Sequence, residues 1–316
     1  MAKQSSGNAG GLKRRSFLKT AAALPAGLAA AQSAESAQDQ MPMIELGPYR
    51  VSRLIAGSNT VNGGSHLSRF VDLEMRSYFT KERILWFLKR LTEAGINVWQ
   101  GSGRNYKLWA EFKEQGGKIL FLSLAHSDPN YPIQVEQAAR LGVTGLVHHG
   151  EVTDRLFKSG KIEKAREFLK RVRDAGLLVG LSTHMPAVVE YVEEKGWDVD
   201  FYMTCVYERH RSREELKKLL GHVPIRVGEV YLEDDPPRMY KVIRATSKPC
   251  LAFKILAAGR LCQSKRQVER AFAETLKNIK PTDGVIVGMW PKWSDQIAED
   301  VAFVKRYSKT AESGKA

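Results

Sequence analysis

Eight short apolar runs with helical patterns intervening constrain this 316-residue chain more than any other feature. They fall at 52–57, 97–101, 119–125, 145–148, 178–182, 201–206, 251–255 and 285–288. Near-continuous apolar runs of this length suit strands covered on both faces, as in parallel sheets flanked by helices. Between and after them, apolar residues recur at helical spacing over 83–94, 106–115, 134–141, 162–175, 187–194, 214–221, 237–245 and 267–278. Ala94-Gly95, Leu141-Gly142 and Ala175-Gly176 read as helix C-termini turning into the next strand. About 270 residues of this alternation predict an α/β fold, a single (β/α)8 TIM barrel over 41–308. Residues 1–40 read as a signal and linker, and 309–316 as a polar tail.

Polar residues gather at the ends of these runs. His126 ends the third, His148 and His149 the fourth and His184 the fifth, while Lys254 lies inside the seventh. In a parallel barrel the strand C-termini open on one mouth, where barrel enzymes keep their chemistry, so an active site is expected there. Imidazole nitrogens and a carboxylate oxygen make His126, His149, Glu151 and His184 a candidate set for a divalent metal, with Glu208 and His210 beside it. The same histidines can instead bind substrate hydroxyls or hydrogen-bond the backbone. Lys254 must bury its stem, which lowers its pKa unless a carboxylate pairs with it. So placed, it can act as a base or as a Schiff-base nucleophile on a carbonyl sugar. Paired with Glu229 or Glu208, it would bind an enediolate or carboxylate, or simply close the barrel as a buried ion pair. Arg104, Tyr207, Arg209 and Trp290 are further mouth candidates, and the acidic segment 227–237 is expected to cap the mouth.

The N-terminus suggests an address. Lys13-Arg14-Arg15-Ser16-Phe17-Leu18-Lys19 is similar to a twin-arginine (Tat) export signal, followed by an alanine-rich apolar stretch and Ala29-Ala30-Ala31 as a cleavage site. The Tat translocase is then a partner and the periplasm the destination, with no stable membrane span in the mature chain. Formal charge is +14, of which five bases ahead of Glu35 belong to this segment, leaving +9. The remaining bases alternate with acids along helices, as in Lys161-Ile162-Glu163-Lys164, which describes a solvated face rather than a nucleic-acid stripe. Cys205, Cys250 and Cys262 form no CxxC pair, and the first two read as buried small side chains.

Several motifs resemble the aldo/keto reductase superfamily. Leu46-Gly47-Pro48-Tyr49-Arg50-Val51-Ser52-Arg53-Leu54-Ile55-Ala56-Gly57-Ser58 is similar to that family's opening, and Ala94-Gly95-Ile96-Asn97-Val98-Trp99 to its second strand. Gly176-Leu177-Leu178-Val179-Gly180-Leu181-Ser182 resembles its fifth strand. Leu256-Ala257-Ala258-Gly259-Arg260-Leu261 is similar to the loop after its seventh, and Ser294 to Asp300 to its cofactor-binding terminal helix. The resemblance spans roughly 44–305 and implies NADP(H)-linked reduction of a carbonyl. Its catalytic tetrad is mostly replaced: the aspartate position falls on Gln100, the tyrosine near Asn105 or Tyr106, the lysine near Ala125 and His126, and the histidine on His149 or His148. For the cofactor it implies the positions of Ser182, Thr183, Phe253, Lys292, Gln296 and Glu299. Thr183, Thr204 and Asp300 depart from the family's residue types, and Trp290-Pro291-Lys292-Trp293 is unlike its usual phosphate clamp, with Lys292 still able to meet a phosphate.

Three functions remain open. One is an exported oxidoreductase acting through NADP(H) on a small carbonyl or carbohydrate-type substrate, with His149 as polariser and His126 or Tyr106 as acid. Another is a lyase, isomerase or hydrolase on a sugar using His126, His149 and Lys254, with or without a divalent metal. The third is a non-catalytic sugar-binding relative.

Overall fold

The computed structural model describes residues 40–125 and 132–313. Parallel strands β3 (Leu54–Gly57), β4 (Val98–Ser102), β5 (Leu120–Leu124), β6 (Gly145–His148), β7 (Leu178–Thr183), β8 (Phe201–Cys205), β9 (Cys250–Phe253) and β10 (Gly284–Val287) lie side by side in chain order. Pairing of β10 with β3, in the register Ile286 opposite Ile55, closes them into the expected (β/α)8 barrel. A short antiparallel hairpin, β1 (Met43–Leu46) and β2 (Tyr49–Ser52), precedes the barrel and takes Ser52 out of the first run.

The connecting helices are α1 (Arg69–Tyr78), α2 (Lys81–Glu93), α3 (Tyr106–Glu114), α4 (Pro132–Leu141), α5 (Gly150–Lys158) and α6 (Glu163–Asp174). After them come α7 (Pro186–Glu194), α8 (Arg213–Leu220), α9 (Asp235–Ala245), α10 (Lys265–Asn278) and α11 (Gln296–Ser313). Their ends follow the local sequence. Thr80 caps α2 by accepting from the Arg83 amide, and Ser212 forms a reciprocal capping box with Glu215 at α8. Gly95 and Gly176 sit at φ 83° and 74°, a region glycine enters without a Cβ penalty, as the helix-to-strand turns require. Helices α1 and α5 are additional to the sequence reading, and α11 runs on to Ser313, past the 309 boundary expected for the tail.

Because successive strand residues point to opposite faces, each strand feeds two cores. Inside the barrel, Ile55, Val98, Leu122, Val147, Leu178, Phe201, Leu251 and Ile286 pack with Ile44, Leu46 and Val51 of the hairpin. Ile44 lies against Gly284 and Gly47 against Leu178, at the starts of β10 and β7, so the hairpin stops the N-terminal end of the barrel. Outside, Trp99, Phe121 and Tyr202 face the helices and pack with Phe87, Leu88 and Leu91. The C-terminal ends of the strands are left to carry the site. Cys205 and Cys250 are buried free thiols, and Cys262 is free and exposed. Among the described residues no helix is long and apolar enough to cross a membrane.

Candidate active site

The strand pleat separates the two adjacent histidines at the end of β6. Val147 points into the barrel, so His148 points out: its Nδ1 lies 2.7 Å from the Thr153 hydroxyl and its ring edges onto Phe168. Burial pushes its pKa down to about 3, which keeps it neutral. His149 caps α5, where its Nδ1 accepts from the Glu151 amide at 3.2 Å.

From α5, Asp154 reaches the end of β7. Its Oδ2 lies 2.8 Å from Nδ1 of His184 and 3.1 Å from Nδ1 of His210. Its Oδ1 accepts from the Thr183 hydroxyl at 2.6 Å, and the His184 amide lies 3.3 Å from both oxygens. Burial alone would raise the Asp154 pKa, but the bonds from His184 and His210 outweigh it and hold the carboxyl well below the usual carboxylate range. Burial carries His184 down to about 4 despite this partner. His210, also opposed by burial, is raised by Asp154 and Glu151. The His184 ring is packed edge-on against both His210 and Phe253.

An ionic chain runs from this cluster around the mouth. Glu151 Oε1 lies 3.5 Å from His210 Nε2 and accepts from Arg209 at 3.2 Å. The buried Arg209 guanidinium also donates to Glu229 Oε1 at 3.1 Å and to the Gly228 carbonyl. Glu229 in turn lies 3.0 Å from His66 Nδ1 and accepts from the Tyr231 hydroxyl. Segment 227–237, expected to cap the mouth, thus contributes Glu229 and Tyr231 to it.

Beyond His66 opens a cavity of about 300 Å³, large enough for a monosaccharide-sized molecule. Polar groups of Asn59, Thr60, Ser65, His66, Gln100, Lys254 and Gln296 line it together with Phe253, Leu256 and Trp290. Among the described residues the Lys254 amine has no hydrogen-bond or ion-pair partner. Burial is the main cause that lowers its pKa to about 8, aided by Arg209 and opposed by Cys205, Glu229 and Glu151. The cavity wall is also strained. Of the described non-glycine residues, those with positive φ are His66 (58°), Lys254 (59°), Ala257 (47°) and Ala258 (50°). His66, Lys254 and Ala258 line the cavity, and Ala257 adjoins them. Left-handed backbone at residues with a Cβ costs energy and concentrates at working sites.

The remaining sequence candidates divide. Tyr106 is buried between α3 and the outer face of β5, its hydroxyl 2.7 Å from Ser123, and burial raises its pKa. Glu208 binds Arg238 at 2.7 Å, Arg104 is exposed, and Tyr207 packs edge-on against Tyr231. His126 lies outside the described residues, as does the segment Lys13–Lys19. Of the expected cofactor contacts, Phe253 and Gln296 line the cavity. Ser182 is buried near Gly150, Thr183 binds Asp154, Lys292 pairs with Glu74, and Glu299 pairs with Lys265 at 3.2 Å. Phe253 and Trp290 form aromatic walls of the cavity, and the buried Trp290 Nε1 has no hydrogen-bond partner among the described residues. Sequence reasoning missed Asp154 and His66.

No protein-family model matches the sequence, and no curated protein matches it. Among solved structures it is similar to an aldo-keto reductase from Bacillus halodurans in its holo form, with 14% identity over 87% of this chain and 96% of that one, at a TM-score of 0.48. A truncated 3-deoxy-D-arabino-heptulosonate 7-phosphate synthase from Thermotoga maritima matches with 13% identity over 87% and 92% of the two chains, TM-score 0.45. A 3-hexulose-6-phosphate synthase from Salmonella typhimurium matches with 17% identity over 82% and 99%, TM-score 0.43. The choice of chemistry therefore rests on the side chains at the mouth.

Proposed function

We propose that this barrel is an enzyme that processes a small carbonyl compound of carbohydrate type, with the Lys254 amine as its reacting group. The observation that carries this reading is an amine with no partner among the described residues and a pKa lowered to about 8, lining a strained cavity. A neutral amine is a nucleophile, and near pH 8 about half of it is neutral. Its nitrogen attacks the carbonyl carbon and forms a carbinolamine. Proton transfer to the oxygen lets it leave as water, and an imine to Lys254 remains. Protonated, the imine draws electrons from the adjacent carbon, so that a C–H or C–C bond there can break, which is isomerase or lyase chemistry. His66, tied to Glu229, lines the same cavity, and in this reading it moves the proton. Hydrogen-bonding groups set among aromatic faces suit a sugar.

The test is reductive trapping. The chain is incubated with sugar aldehydes and ketones under borohydride, and the modified lysine is found by peptide mass mapping. Wild type should carry an adduct on Lys254 that Lys254→Met lacks. Labelling confined to surface lysines across the panel would refute the reading.

A second reading follows from the orphaned Trp290 indole beside Phe253: NADP(H) binds with its nicotinamide in the cavity and supplies hydride to the carbonyl. NADPH titrated into the protein should then quench tryptophan fluorescence with a saturable micromolar curve, and a flat titration removes this reading. We also infer from Lys13–Lys19 that the Tat translocase exports the chain to the periplasm. Arg14→Lys with Arg15→Lys should leave it in the cytoplasm on fractionation, and unchanged distribution would refute that route.

A further inference from the structure

We propose that Asp154, His184 and His210 bind one divalent transition-metal ion, a site distinct from the Lys254 cavity and independent of the chemistry argued for it. The three residues come from α5, the end of β7 and the loop after β8, and only the closed barrel brings them together. Each offers one ligand atom, and these atoms all lie within 4.8 Å of one another. Two imidazole nitrogens approach the same carboxylate oxygen, Oδ2 of Asp154, at 2.8 and 3.1 Å. Donor atoms bound at about 2.0–2.2 Å to one ion at right angles stand about 3 Å apart, so these separations suit an ion seated between them.

The surroundings favour an ion over a plain hydrogen-bonded trio. Oδ1 is held by the Thr183 hydroxyl at 2.6 Å and the His184 amide lies 3.3 Å from both oxygens, which fixes the carboxylate plane with Oδ2 toward the two imidazoles. Such outer partners orient the ligands of metal sites. Asp154 and His184 are buried while His210 is partly open, so an ion would enter from the His210 side. Glu151, 3.5 Å from His210 Nε2, supplies a further carboxylate at that entrance. Two nitrogens and one oxygen select zinc, iron, cobalt, nickel or copper over magnesium or calcium, which take oxygen ligands. Three protein ligands leave at least one coordination position open, the arrangement of a reactive site rather than a structural one.

The full chain, purified without a histidine tag and stripped with EDTA, is titrated with Co2+ and read by its visible d–d absorption. Wild type should take up one equivalent. His184→Ala and His210→Ala should each weaken binding by about 100-fold or more, with folding checked by circular dichroism. His222→Ala, in an exposed loop, should bind as wild type does. Lys254→Met should also keep the site, so this proposal and the carbonyl chemistry fail separately. Should a histidine variant not fold, the wild-type spectrum decides: bands of a nitrogen-ligated site at one equivalent support the proposal. No stoichiometric uptake at micromolar cobalt, or wild-type binding in both folded histidine variants, overturns it.

Discussion

A desolvated amine destabilises the fold while it is charged, and Lys254, with no partner among the described residues, bears that cost at the working end of the barrel. The groups acting on it are Cys205, Arg209, Glu229 and Glu151, with His66 feeling its charge in return. Its folded pKa of about 8 lies below its ordinary 10.5. Below pH 8 both folded and unfolded chains hold the proton, and the folded one pays for burying it. Between about 8 and 10.5 the unfolded chain binds more protons, so the Lys254 contribution to stability rises with pH and is complete above 10.5. Two consequences follow. Turnover should climb through about pH 8 as the amine becomes neutral, and a rate that falls across that range would contradict Lys254 as nucleophile. Lys254→Met should abolish turnover yet gain about 2 kcal/mol at pH 7, moving the urea midpoint upward; a lower midpoint would mean that the amine has a partner after all. Lys254 was visible in the sequence because a charge inside an apolar run is anomalous. Asp154 was not, since an acid in Val152-Thr153-Asp154-Arg155, where no element was read, passes for an ordinary solvated side chain until α5 packs on the end of β7. His66 sits in Gly63-Gly64-Ser65-His66, where no periodicity assigns a direction.

At the scale of elements, strand parity decides which candidates meet. Alternation along β6 sends His148 to the helices once Val147 is inside, an outcome readable from the pleat but not from the residue pair alone. Alternation along β5 likewise turns Phe121 and Ser123 outward, where α3 lays Tyr106 over them. Tyr106 stands beside the tyrosine position of the aldo/keto reductase pattern that the sequence resembles, and yet packs behind the barrel wall. Its hydroxyl joins α3 to β5, and nothing in the geometry brings it to the cavity. Tyr106→Phe should therefore cost about 1 kcal/mol in urea denaturation and leave kcat unchanged. A loss of kcat by about 100-fold with the fold intact would restore Tyr106 as an acid. The strand ends were legible because apolar runs mark strands sharply. The helices at 69–78 and 150–158 were harder: the first exposes two of its apolar residues, Phe70 and Leu73, and the second follows a strand after one residue, His149, which serves as its cap.

Across the whole molecule, stability and chemistry are assigned to opposite ends of one barrel. The hairpin β1–β2 stops the N-terminal end with Ile44, Leu46 and Val51, while the cavity and the ionic chain occupy the C-terminal end. The division follows from parallel strands, whose loops fall in two sets that do not meet, so one set can be optimised for packing and the other for function. Leu46 tests it. Fully buried, it joins the interior cluster beside Leu178, and its neighbour Gly47, at φ 56°, lies where an added Cβ would come within 2.6 Å of the Leu178 side chain. There is little slack for collapse around a deletion. Leu46→Ala should cost about 3 kcal/mol through lost burial and the remaining cavity, read as a lower urea midpoint. At a temperature where the variant stays folded, Lys254 trapping and cobalt stoichiometry should match wild type. If either changes while circular dichroism does not, the two ends are coupled through the interior side chains, and the hairpin is then part of the site's support rather than a plug alone.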